Sequence, residues 1–245
     1  SLPRVVASST LIVEVKRVVT QIPQRPAAQA LLSRLILSSD DLCAIVAYTI
    51  ETPFPLYKFV NAWMNAGRRD AQVTTAVGPY IRLLIAALQK LPTVTVAAYR
   101  GVKVNNNVVG LRRTFNDRAE ILGRGAELHF WSFASFAMRD SVASDPAFLG
   151  ASHEDAILYS CAAVTGVDVS ALSASPNENE VLVCAPSTFE VSGSYLDGRK
   201  LTIHMAMRSE QRCYTERLGA IHMTARDFFV AAWKLSETTQ LLESV

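Results

Sequence analysis

The 245-residue sequence lacks the clustered ligands that structural metal sites need. Its cysteines, Cys43, Cys161, Cys184 and Cys213, include no Cys-x-x-Cys pair, and its histidines, His129, His153, His204 and His222, show no His-x-x-x-His spacing. No metal is expected; the cysteines read as buried or surface thiols, with a disulfide among them left open. No Gly-x-Gly-x-x-Gly opens a helix and no phosphate-loop Gly-Lys-Ser/Thr occurs, so the usual dinucleotide and triphosphate fingerprints are absent. No apolar run approaches the ~20 residues of a membrane-spanning helix, so no membrane span is expected. Charge of one sign is scarce as well. The net charge is +2, and Arg68-Arg69 and Arg112-Arg113 are isolated pairs, which argues against nucleic acid as a partner. The chain begins at Ser1 without a methionine, a basic n-region or a hydrophobic h-region, so no signal peptide is expected. An excised domain or a processed form fits that start, and the localisation is unknown from this end.

What is present is an ordinary globular composition, half hydrophobic and 19% charged, long enough to bury a sizeable core. The first ninety residues read as helices. "RPAAQALLSRLILS" (25–38) is rich in Ala and Leu. Ser39 and Asp40 offer an N-cap for "DLCAIVAYT", which stops before Pro53. "FPLYKFVNAWMNAG" (54–67) has Pro55 near its first turn and Gly67 at its end. "GPYIRLLIAALQKLP" (78–92) places Ile81, Leu84, Ile85, Leu88 and Leu91 on one helical stripe. From Thr93 the pattern alternates. Strands are predicted at "TVTVAAYRGVKV" (93–104), "AELHFWSFA" (126–134), "AILYSCAAV" (156–164), "EVLVCAP" (180–186), "TFEVSGSYL" (188–196) and "RKLTIHMAMR" (199–208). Turn chemistry at Asn105–Asn107, Gly123, Gly125, Pro176-Asn177 and Asp197-Gly198 separates them. A helix over 224–243, with Thr224 and Asp227 as a cap pair, closes the chain. The layout is α+β, a helical N-terminal region followed by a mostly antiparallel sheet body, without internal repeats.

Three places could carry chemistry. Alternation in the strand from Thr93 sets Arg100 on a stripe with Val94, Val96, Ala98 and Val102, and Tyr99 and Gly101 on the other face. A guanidinium there needs an anion if it is buried. An internal salt bridge or a strand-end arginine reaching water would satisfy it; so would a ligand phosphate or carboxylate, with Gly101 letting that ligand approach the backbone. "FWSFASFAM" (130–138) sets Ser132 and Ser135 among aromatics that do not alternate cleanly. It reads as a core strand with incidental serines, or as an aromatic-walled cleft in which a serine positions a bound group. "NENEVL" (177–182) places Glu178 and Glu180 two residues apart at the start of an apolar strand, where alternation predicts one shared face. Like charges at that spacing repel, so folding alone gains nothing from the pair.

Arg100, Ser135 and Glu178-x-Glu180, in that order, resemble the arginine–serine–glutamate group of the mono-ADP-ribosyltransferases. "YIRLLIAALQKLP" with "AAYRGV" is similar to the family's helix and first core strand, and "GAELHFWSFAS" to its second motif. "TGVDVSALSASPNENEVLVCAPSTFEV" (165–191) is similar to the loop and strand that carry its catalytic glutamate, and is the most specific of the three. The likeness runs from Leu42 to Val191. It implies a single α+β ADP-ribosyltransferase domain over 1–245, with a helical region (1–92), a mostly antiparallel two-sheet catalytic β core (93–223) and a C-terminal helix (224–245). It implies NAD as co-substrate and a protein with an exposed arginine as partner. Arg100 and Gly101 match the NAD-holding position, Ser135 the first serine of the Ser-Thr-Ser motif, Glu180 the catalytic glutamate and Glu178 the upstream residue that goes with arginine as acceptor. Three departures stand out. Ser-Thr-Ser is Ser135-Phe136-Ala137 here, Ser175 stands where an acceptor-touching aromatic is expected, and the stretch from Leu201 has no matched counterpart. An NAD glycohydrolase, or a degenerate domain that binds NAD or a protein without turnover, is the alternative reading. Secreted, cell-surface and effector-like contexts all occur in the family.

Overall fold

The computed structural model describes residues 2–52, 54–66, 71–104, 123–151 and 154–208. Pro53, Gly67, Arg68-Arg69, Asn105–Asn107, Arg112-Arg113, His153, Cys213, His222 and the helix expected over 224–243 lie outside them. The chain divides into two compact units, one formed by the helical N-terminal residues with 169–176, the other by 93–168 with the strands that follow residue 177.

The helical unit contains α1 (Leu2–Gln21), α2 (Pro26–Leu32), α3 (Ser39–Thr49), α4 (Leu56–Asn65) and α5 (Ala71–Gln89). Its centre is α3, packed by α1, α4 and α5 and buried from Asp41 to Tyr48. The cap of α3 lies one residue earlier than the sequence suggested: Ser38 is the N-cap, in a reciprocal box with Asp41. Asp41 also pairs with Lys90 at 2.6 Å, so one buried carboxylate serves two helices. Helix α5 starts seven residues before the expected Gly78 and runs through Pro79. The predicted stripe is its inner face, with Ile81, Leu84, Leu88 and Leu91 all buried. Tyr80 is fully enclosed and donates its hydroxyl to the Ala44 carbonyl at 3.0 Å; burial pushes its pKa well up, so it stays a neutral donor.

The second unit holds seven strands among the described residues: β1 (Thr93–Lys103), β2 (Glu127–Phe130), β3 (Ala134–Ala137), β4 (Ala156–Asp168), β5 (Glu180–Val183), β6 (Ser187–Asp197) and β7 (Lys200–Met207). Their order is β1-β3-β5-β4-β7-β6-β2, and β1 also pairs along β4. Every pairing is antiparallel except β4 with β7. The α+β class and the mostly antiparallel core are therefore present. The two sheets expected from sequence take the form of one network that turns back on itself. β1, β3, β5 and β4 close a ring, and β7, β6 and β2 extend from it. The ring is tight: a Cβ on Gly166 of β4 would stand 2.7 Å from Val181 Cγ1 and 2.9 Å from the Leu182 carbonyl oxygen.

One predicted strand is corrected. The stretch 126–134 is not a single strand but β2, which pairs with β6, and β3, which pairs with β1 and β5. The break is where alternation fails: Trp131 is exposed, while Ser132, Phe133 and Ala134 are buried in succession. Phe130 and Phe136 both turn into the core, where with Tyr159 and Phe189 they form a cluster of ring contacts at 5.3–6.2 Å. Those aromatics fill the core and do not wall a cleft.

Candidate active site

Strands β1, β3 and β5 are neighbours, and they carry Arg100 with Gly101, Ser135, and Glu180 in turn. With strands about 4.8 Å apart, the three lie within roughly two strand spacings. β1 and β3 meet at a single pair, Tyr99 with Ala137. Past it no further rung joins them; Arg100 supplies the next link, its Nη1 donating to the Ser135 carbonyl oxygen at 2.8 Å. Arg100 is half-buried, and among the described residues no carboxylate pairs with it. Among the described residues an internal salt bridge is not what holds it. The main-chain carbonyl steers the guanidinium without itself compensating its charge.

Gly101 has a different reason from the one expected. The short helices α6 (Asp140–Ala143) and α7 (Pro146–Leu149) follow β3, and a Cβ on Gly101 would stand 2.2 Å from the Ala143 carbonyl oxygen and 3.4 Å from Leu149. The protein's own chain takes up the space where a side chain would be. This accounts for the glycine without a ligand.

Glu180 opens β5 and is 6% exposed, which makes it one of the few buried carboxylates among the described residues. It lies directly across from Ala137, and Ser135 lies across from Leu182. Period-two alternation then sets Ser135, Ala137 and Glu180 on one face, with Phe136 and Val181 on the core face. Glu178 is placed differently from the sequence expectation. It ends a short 3-10 turn (Pro176–Glu178), outside β5, and Asn179 between the glutamates has φ 49. Strand alternation does not relate the two carboxylates; a left-handed residue does. Glu178 is half-buried, more open to water than Glu180.

A family model described as NAD:arginine ADP-ribosyltransferase matches residues 15–213. The chain belongs to that family. The Mycobacterium avium protein Mav, named for NAD(+)–arginine ADP-ribosyltransferase activity, is 30% identical over 161 residues, 66% of this chain. The chain spans only 17% of that protein's length. Among solved structures, the ADP-ribosyltransferase Vis of Vibrio splendidus, in complex with agmatine, aligns with a TM-score of 0.59 at 18% identity, over 81% of this chain and 86% of Vis. HopU1 of Pseudomonas syringae aligns with a TM-score of 0.53 at 19% identity, over 70% and 78% of the two chains. At these identities the likeness establishes the fold.

The departures found in sequence acquire positions in the fold. Phe136, in place of a threonine, is fully buried in the aromatic core, so it is a packing residue. Ala137, in place of a serine, is the residue directly across from Glu180. The Met138 N–H, which donates to the Asn179 carbonyl at 3.0 Å, and the left-handed Asn179 were missed by sequence reasoning. Asn is among the residues that tolerate left-handed backbone, and that signal was available between the glutamates. The buried thiols of Cys43 and Cys161 are not candidate nucleophiles, because burial raises the pKa of both. Among the described residues no group of three His, Cys, Asp or Glu side chains could hold a metal, and no helix is long and apolar enough to cross a membrane.

Proposed function

We propose that this chain is a mono-ADP-ribosyltransferase domain over 1–245 that cleaves the nicotinamide–ribose bond of NAD and transfers ADP-ribose to arginine side chains of a protein. The observation that carries the reading is the buried Glu180, two strands from an Arg100 fork that a main-chain carbonyl holds in place. Cleavage of that bond develops positive charge on the ribose, as in glycoside hydrolysis. A carboxylate at a buried position acts in a low dielectric, where stabilising such charge is worth most. Glu180 takes that role, and its place in the β3–β5 ladder keeps it from reorganising during the reaction. Arg100 takes the phosphate side of NAD, and the Ser135 hydroxyl the nicotinamide side.

The acceptor sets a second requirement. A free guanidinium titrates above ~12 and attacks nothing until a base relieves it of a proton. Glu178, more open to water than Glu180, meets the incoming arginine and prepares it. Vis is solved with agmatine, a small guanidine, and the shared fold supports the same acceptor chemistry here. A second reading, NAD hydrolysis with water as acceptor, is favoured by Glu178 standing outside β5. Nicotinamide release measured with and without agmatine separates the two. Release that rises with agmatine, together with agmatine modification, supports transfer. Release indifferent to agmatine supports hydrolysis, and no release overturns both.

A further inference from the structure

Among the described residues Asn179 is the one non-glycine residue with positive φ, and it separates the two glutamates. Left-handed backbone is costly for most side chains and is kept where the surroundings hold it. Here two bonds hold it. The Asn179 carbonyl accepts from the Met138 N–H at 3.0 Å, one step past the Ala137–Glu180 pair, and the Asn179 side chain donates Nδ2–H to the Asn177 carbonyl at 2.7 Å. The first bond ties Asn179 to the end of β3. The second reaches back across the turn that contains Glu178.

From this we infer that Asn179 is a positioning residue: its left-handed backbone sets where Glu178 stands relative to Glu180, and so selects transfer to a guanidine over transfer to water. The inference rests on the function proposed above. Its logic lies in how differently the two carboxylates are held. Glu180 belongs to the ladder, and the residues after it pair on both sides, Val181 with Phe136 and Asp168, Leu182 with Ser135 and Val167. Its position is set by that ladder. Glu178 lies outside the ladder, in the turn on the far side of Asn179. With an ordinary extended residue at 179, β5 would run on toward Pro176, and Glu178 would follow strand geometry.

The test is a series at this position, read as the ratio of agmatine modification to NAD hydrolysis. Asn179→Gly adopts left-handed backbone freely and is expected to keep most of the wild-type ratio. Asn179→Val resists it; misplacing a reacting group by about 1 Å can cost up to ~10²-fold, so the ratio is expected to fall by roughly 10–100-fold. Hydrolysis is expected to change by far less. A folded Asn179→Val protein that loses both activities equally, or keeps its ratio, overturns the inference. If Asn179→Val does not fold, Asn179→Ala decides by the same ratio: a fall that Asn179→Gly does not share supports the inference, and an unchanged ratio overturns it. A wild-type chain that releases no nicotinamide overturns the inference together with the function beneath it, whereas active wild type with an unaltered ratio in the series overturns the role of Asn179 alone.

Discussion

A buried carboxylate and a half-buried one, two residues apart, invite separate tests. Glu180→Gln keeps size and hydrogen bonding but removes the charge proposed to face the ribose, and losing one such contact costs ~3–4 kcal/mol, or about 10²–10³ in rate. Both NAD hydrolysis and agmatine modification are expected to fall by that factor, since both need the same bond broken. Glu178→Gln is expected to abolish agmatine modification while slow hydrolysis survives; equal loss of hydrolysis in both variants would refute the division of labour. Arg100→Lys is expected to weaken NAD binding with little change in melting temperature, because an ammonium cannot make the planar two-pronged contact. The candidate residues could be named from their order along the chain; the arrangement of the two glutamates could not. Alternation assumes extended backbone, and one asparagine at φ 49 cancels it.

At the scale of elements, a close approach at Gly101 limits what β1 tolerates. Gly101→Ala would set a methyl 2.2 Å from the Ala143 carbonyl oxygen, so α6 must move away from β1 or the protein loses stability. Overpacking of this kind costs ~1–3 kcal/mol, which a lower denaturation midpoint would show. Restoring the family's hydroxyls is expected to split by position. Phe136→Thr empties part of the aromatic core and is expected to cost ~2–4 kcal/mol, whereas Ala137→Ser, across from Glu180, is expected to fold normally and to keep or raise nicotinamide release. A well-folded Ala137→Ser protein with sharply lower turnover would show that this side of Glu180 requires an apolar neighbour. Strand existence was readable from period-two patterns where β1, β6 and β7 turn one face to the core, whereas β4 is buried on both faces over Ala156–Tyr159 and shows itself as an apolar run. The division of 126–134 was not. A run of aromatics looks like one buried strand whether it stays in one ladder or crosses to another. The cap of α3 was misplaced by one residue because Ser38 and Ser39 are locally equivalent, and only the reciprocal bond with Asp41 distinguishes them.

For the whole molecule, the informative segment is Val169–Pro176, which sequence reads simply as the loop before the glutamates. It connects β4 to β5, strands that pair with each other, yet its own contacts belong to the helical unit. Arg25, at the start of α2, donates Nη1–H to the Ser173 carbonyl at 2.6 Å and to the Ala171 carbonyl at 3.4 Å. Thr49, at the end of α3, accepts the Ala174 N–H at 2.9 Å, and Leu172 is fully buried. Nothing local announces these bonds, since 148 residues separate Arg25 from Ser173. Periodicity and caps register neighbours in sequence, and an arginine bonded to distant carbonyls looks like any surface cation until the chain is folded. The consequence is measurable. A hydrogen bond from a charged donor contributes ~1.5–3 kcal/mol, so Arg25→Ala is expected to raise amide exchange across 171–175 by one to two orders of magnitude, if that segment opens by itself. Exchange at Val181 and Leu182 is expected to hold, because their ladder partners do not involve Arg25. Thr49→Val is expected to act in the same direction at Ala174 and more weakly, a neutral bond contributing ~0.5–1.5 kcal/mol. Exchange that rises equally throughout the sheet in Arg25→Ala would mean that the segment does not open independently, and that helices and strands lose their structure together.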